Sequence, residues 1–119
     1  MIDLPPERPK KPRKIRESDV EAYLVKEVEK RGGVAEKFSS PAKRSVPDRL
    51  VSWPFTILDH GHAGVTERAA RIHFVECKAP GEEPTEAQAR DHKRRRAMGF
   101  LVHVVDSYES VDNYLRGAV

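Results

Sequence analysis

Cysteine is almost missing from this chain: Cys77 is the only one among 119 residues. A single thiol makes no intrachain disulfide and no cysteine-ligated zinc site, and it points to a reducing, cytoplasmic setting. Long apolar runs are missing too, since nothing approaches the roughly 18–20 residues that a membrane span needs. Met1-Ile2-Asp3-Leu4 runs straight into prolines and charges, so the apolar core of a signal peptide is not there either. Apolar residues make up only 38% of the chain against 34% charged ones. That balance suits one small soluble domain with one core. No internal repeat is visible.

What the chain has in quantity is charge. The net charge of +3 and a pI near 9.1 mildly favour a polyanionic partner. The excess is local. Residues 1–16 carry six basic side chains against Asp3 and Glu7, so the remainder is close to neutral. With prolines at positions 5, 6, 9 and 12 and almost nothing apolar to bury, this segment reads as an extended or disordered basic arm. Residues 17–119 form the folded domain. The arm is either a solubilising terminus or a tail for phosphates.

Ser18-Asp19-Val20-Glu21 matches a capping box and opens a helix that runs to Lys30 and stops at Gly32-Gly33. Glu17, Glu21, Leu24 and Val28 share one stripe of it, which sets Glu21 on the edge of the packing face. Glu21 then either closes the cap or serves as an inward carboxylate for a cation, and Glu17 shares that ambiguity. Val34–Phe38 reads as a strand. A polar loop with the adjacent cations Lys43 and Arg44 follows. A second strand begins at Pro47-Asp48, where proline fixes the backbone and either aims the Asp48 carboxylate or simply precedes a turn cap. Residues 54–70 read as a loop or short irregular hairpin, in which Asp59-His60-Gly61-His62 is a weak metal signal.

The next strand, Arg71-Ile72-His73-Phe74-Val75-Glu76-Cys77-Lys78, ends in two opposite charges. Alternation puts Glu76 and Lys78 on one face and the Cys77 side chain on the other. Ala79-Pro80-Gly81 ends the strand. A second helix spans Thr85–Met98, acidic at its start and basic at its end as the helix dipole favours. Its run Lys93-Arg94-Arg95-Arg96 exceeds what capping needs and suits phosphate contacts. Phe100–Val105 reads as a strand buried on both faces, and a short helix around 109–116 closes the chain. The order α-β-β-β-α-β-α implies an α/β sheet with helices on both faces.

Asp48 and Glu76 therefore sit at the ends of adjacent strands, with Lys78 beside them and Glu21 nearby. Converging carboxylates repel unless a cation neutralises them. Oxygen ligands select a hard ion such as Mg²⁺ or Mn²⁺, an apparatus suited to phosphodiester hydrolysis. Pro47-Asp48 and Glu76-Cys77-Lys78 resemble the PD and ExK signatures of the PD-(D/E)xK nuclease superfamily. Arg16–Glu21, Val46–Leu50, Phe74–Gly81, Gln88, Gly99-Phe100 and Val104–Ser107 resemble the VRR-NUC family within it, particularly its small stand-alone phage and bacterial members. The likeness covers roughly residues 16–115.

That resemblance implies a restriction-endonuclease-like mixed sheet flanked by helices. It implies Asp48, Glu76 and the Cys77 main-chain carbonyl as metal ligands, Lys78 as the catalytic lysine, Glu21 as a helper of the metal site and Gln88 as a catalytic glutamine. It also implies a Holliday-junction-resolvase-like endonuclease, dependent on Mg²⁺ or Mn²⁺, working as a homodimer on branched DNA in a bacterial cell or phage-infected host. Lys43, Arg44 and Lys93–Arg96 are the expected DNA contacts. Two departures stand out: Ser45 occupies the usual glycine position, and the stretch from Asp48 to Glu76 is long, as if a hairpin were inserted. The competing reading is a non-catalytic nucleic-acid-binding module that retains the fold.

Overall fold

The computed structural model describes residues 14–42, 45–59 and 66–118, with the backbone alone for 55–59 and 66–70. Its elements are α1 (Glu17–Lys30), β1 (Val34–Lys37), β2 (Arg49–Asp59), β3 (Thr66–Cys77), α2 (Glu86–Ala97), β4 (Leu101–Val105) and α3 (Tyr108–Ala118). The expected order holds throughout. Of the basic arm, 1–13 lie outside the described residues. One mixed sheet runs β1-β2-β3-β4, antiparallel at its first two junctions and parallel between β3 and β4.

Alternation along β3 divides the molecule into two layers. Val75 and Cys77 face α1 and α3. They join Val20, Leu24 and Val28, spaced one helical turn apart, with Val51, Trp53, Val105, Val111 and Leu115 in the main core. Tyr114 is held there by its hydroxyl, which accepts from Trp53 Nε1 at 3.1 Å and meets His73 Nδ1 at 2.9 Å. Gly33 lets β1 leave α1 at close quarters. A Cβ there would lie 2.8 Å from the Trp53 ring and 2.9 Å from Val28, a clash that a packed core resists.

The opposite face, carrying Phe74 and Glu76, is covered in part by α2. This helix has no apolar stripe, and its buried residues are Asp91 and His92. It packs through polar and cationic groups instead. Arg95 donates to Asp91 Oδ2 at 2.7 Å and spreads its guanidinium 4.7 Å above the Phe74 ring and 5.2 Å above Phe38. Arg96 donates to the Val102 carbonyl at 2.8 Å.

Two local expectations change, and one is decided between its alternatives. Helix α1 starts at Glu17 rather than after a Ser18 cap. Asp19 reaches back to accept the Arg16 N–H at 2.8 Å, so Glu21 is not the capping acid. Of the two readings of 54–70, the described part, 54–59 and 66–70, takes the hairpin. β2 and β3 continue as a paired hairpin to Asp59↔Thr66, with a register shift between Trp53 and Thr56. Pro54 lies in that shift and has no N–H to give a ladder. Third, β4 is not buried on both faces. It lies at the end of the described sheet, with Leu101 54% and Val104 36% exposed while Val102 and Val105 are buried. An apolar run does not distinguish a central strand from an edge strand whose two faces are each only partly covered, here by α2 and α3.

Candidate active site

The site is built where β2 begins and β3 ends. Pairing Arg49↔Val75 places Asp48 and Glu76 at the next position outward, across from one another. Pro47 is fully buried, and the Asp48 carbonyl accepts the Phe38 N–H at 2.9 Å, so the backbone behind Asp48 is fixed on both sides. Asp48 Oδ2 accepts the Cys77 N–H at 2.7 Å. That charge-assisted bond ties the end of β3 to the carboxylate at the start of β2. Lys78 is buried and donates its own N–H to the Val105 carbonyl at 2.8 Å, which adds β4 to the frame.

Glu76 is 0% exposed, and neither of its carboxylate oxygens has a hydrogen-bond partner among the described residues. Burial pushes its pKa up to about 9, reinforced by the hydrogen bond it forms with Asp48 when protonated and by the Asp48 charge, with Lys78 pulling the other way. Two facing carboxyls bond only by sharing a proton. When both are ionised, Glu76 is left as a buried charge without a hydrogen-bond donor, a costly state. Cys77 takes no such part through its thiol. The side chain lies in the core, where burial and the charges of Asp48, Glu21 and Glu76 push the thiol pKa up. Only its main chain is available to the site.

Glu21 is placed near these groups but is already engaged. Its Oε1 accepts from Arg49 Nε at 2.8 Å and lies 3.8 Å from Lys37 Nζ. Glu17, one turn earlier, has its pKa raised first by burial and then by the charge of Asp48, with Lys78 opposing. Both helix glutamates are thus within electrostatic reach of the centre, one neutralised by arginine and the other not. Among the described residues no group of three or more His, Cys, Asp or Glu is arranged as a ready-made metal cage.

The Gln88 side chain is engaged in a cap. Its Oε1 accepts the Thr85 N–H at 2.9 Å, and its N–H donates to Thr85 Oγ1 at 3.2 Å, closing a capping box at the start of α2. Of the cations expected on DNA, Arg95 is turned into the fold, while Arg96 stays exposed with one N–H bound to the Val102 carbonyl. Arg94 is bound to Asp91 at 2.9 Å yet half exposed, and Lys93 is exposed. Arg94 lines a cleft of about 210 Å³ with Ser45, Ala87, Arg90 and Asp91. Lys43, Arg44, His60 and His62 lie outside the described residues. A larger cavity of about 550 Å³ lies on the α3 side, against Arg71, His73, His103 and Tyr114, and excludes the carboxylates.

No family model matches the sequence. "Putative nuclease p44" of Acyrthosiphon pisum secondary endosymbiont phage 1 is 48% identical over 97 residues, 82% of this chain and 89% of that protein. A solved structure described as a VRR_NUC domain matches with a TM-score of 0.64 at 34% identity, over 84% of this chain and 94% of that one. The chain belongs to the VRR-NUC family of nucleases.

In this VRR-NUC nuclease one residue beyond those expected from the sequence stands at the site's border, and a second lines the α2 cleft. His92 is 2% exposed, and its Nε2 lies 3.9 Å from Glu76 Oε1. Arg90 shares the cleft of Arg94. A signal for His92 was present in the sequence. A helix without an apolar stripe must pack by its polar side, and on α2 the positions three and four beyond Gln88 are Asp91 and His92.

Proposed function

We propose that this VRR-NUC nuclease is a divalent-metal-dependent endonuclease that hydrolyses DNA phosphodiesters, preferring branched DNA and acting as a homodimer. The observation that carries the metal reading is Glu76, buried with both oxygens unpartnered beside Asp48. An ionised pair there is unfavourable unless a cation joins it. The donor set fits a hard ion that takes one or two carboxylates and keeps several waters. Asp48, Glu76 and the Cys77 main-chain carbonyl would hold it, while Glu17 deepens the negative potential. When bound, such an ion makes water a better nucleophile and polarises the phosphoryl oxygen.

The chain's own groups then do the following. The buried Lys78 ammonium sets the attacking water or offsets negative charge growing on the phosphoryl oxygens. A bond forms from the water oxygen to phosphorus as the bond to the leaving sugar oxygen breaks. The water's proton goes to solvent, and the leaving oxygen acquires one. Arg90 and Arg94, exposed along α2, take flanking phosphates, with Lys93 beside them. Exposed Leu101 and Val104 on β4, at the end of the described sheet, support pairing between two copies. A two-fold dimer would present two sites at a fixed spacing, as paired incision of a junction requires.

The test is incubation with labelled linear, flap and four-way-junction DNA, with Mg²⁺, Mn²⁺ or chelator. Cleavage is expected only with metal, faster on branched substrates, and lost in Asp48→Ala. Full activity in that variant, or none on any substrate with metal, would sink the catalytic reading and leave the non-catalytic binding module. Equal rates on linear and branched DNA would remove the branch preference alone. Sedimentation of the protein as a monomer at working concentration would remove the dimer.

A further inference from the structure

Helix α2 buries two ionisable side chains, and they have different fates. Asp91 is fully engaged by Arg94 and Arg95 at 2.9 and 2.7 Å. His92 is not. Its Nε2 is buried without a hydrogen-bond partner among the described residues, and so is the nearest carboxylate oxygen, Glu76 Oε1, at 3.9 Å. A buried polar atom left unpaired costs about 1–3 kcal/mol, and an apolar residue of similar size would fill the same space without that cost. Two unpaired polar atoms of complementary kind, buried and facing one another, indicate a contact that is made in another state of the molecule. The gap exceeds a hydrogen bond by less than about 1 Å. Contacts of this kind in active sites lacking their ligands are often long and tighten when the site is loaded.

We infer that His92 is a positioning residue for Glu76. Its Nε2–H donates to Glu76 Oε1, which fixes the carboxylate in one orientation and would leave Oε2 free for a cation. The role needs no change of charge on the imidazole. It depends on the metal reading given above and adds to it the group that orients one ligand. Outer partners of this kind fix ligand orientation, and their loss lowers ion affinity about 10–100-fold. Placement also explains why α2 is pinned so firmly. The Arg96–Val102 bond and the Arg95 guanidinium over Phe38 and Phe74 hold the helix that delivers His92 against the sheet.

Calorimetric titration of Mn²⁺ into the parent protein, His92→Leu and His92→Gln tests the inference, with thermal melting as the control for folding. His92→Leu keeps the volume and removes the donor, whereas His92→Gln keeps a donor of similar reach. The expected result is about 10–100-fold weaker Mn²⁺ binding in His92→Leu, with recovery to within a few-fold of the parent in His92→Gln. The melting temperature of metal-free His92→Leu should be unchanged or raised. Unaltered Mn²⁺ affinity in His92→Leu overturns the inference while leaving the metal site standing. Equal loss in both variants, with a lowered melting temperature, shows a packing role and overturns it as well. A parent protein that binds no Mn²⁺ removes the metal reading and this inference together.

Discussion

Replacing Glu76 by glutamine should change how the stability of the metal-free protein responds to pH. In the folded state Glu76 holds its proton up to about 9, whereas an unfolded glutamate releases it near 4.5. Between those values the folded state binds more protons than the unfolded one, so stability falls as pH rises. Two buried histidines and one half-buried one contribute with the opposite sign. Burial lowers the pKa of His73, His92 and His103 below 6.5, so their stabilising effect grows with pH and is complete once the unfolded value is passed. Cys77, raised from 9.0, adds a loss only above that value. From about pH 7 to about pH 8.5 the Asp48–Glu76 pair therefore dominates, at up to about 1.4 kcal/mol per pH unit, or on the order of 2 kcal/mol across the window. For a domain of this size that is a fall in melting temperature on the order of 10 °C. Glutamine keeps an N–H that can donate to Asp48 and has no proton to lose, so Glu76→Gln should flatten the profile. Calorimetric melts at several pH values with chelator measure both slopes. The reasoning fails if the parent shows no slope, or if Glu76→Gln keeps the parent's slope. Saturating Mn²⁺ should reverse the trend in the parent, because the ion needs the ionised pair and binds more tightly as pH rises.

Lys78→Met should lower the cleavage rate by roughly 100-fold or more while leaving Mn²⁺ affinity within a few-fold, because the ammonium acts on the phosphate and not on the ion; paired kinetics and calorimetry check it. Gln88→Ala should lower stability by about 1 kcal/mol, the usual cost of removing a cap, with cleavage per folded molecule retained. Urea unfolding alongside the nuclease assay reads both, and abolished cleavage at unchanged stability would restore a catalytic glutamine. Arg90→Ala combined with Arg94→Ala should weaken DNA binding on all sequences. The slope of log K against log salt should become shallower by about 0.9 for each phosphate no longer neutralised, and an unchanged slope would remove this face of α2 from the DNA path.

Much of this nuclease can be read along the chain because its signals are local. Proline before Asp48, the Glu76-Cys77-Lys78 alternation and the glycines after each long helix act within a few residues, and these are the places where expectation and structure agree. Local ambiguity accounts for the helix start: Asp19 and Glu21 are both acids placed to close a cap, and only the traced hydrogen bond selects Asp19. Partners distant in sequence decided the rest. Glu21 could be placed on the helix edge, but its engagement by Arg49 depends on how β2 lies beneath α1. The four cations of α2 look equivalent in sequence. Packing separates Arg95, stacked over Phe74, from Lys93, Arg94 and Arg96, which remain exposed. The sequence by itself determined the order of elements and the three residues Asp48, Glu76 and Lys78, because strand alternation and turn chemistry are short-range. Only the tertiary structure showed that Glu76 is fully buried with both oxygens unpaired and that His92 faces it. Burial and orphaned hydrogen bonds belong to the assembled layers, and no spacing along a single chain encodes them.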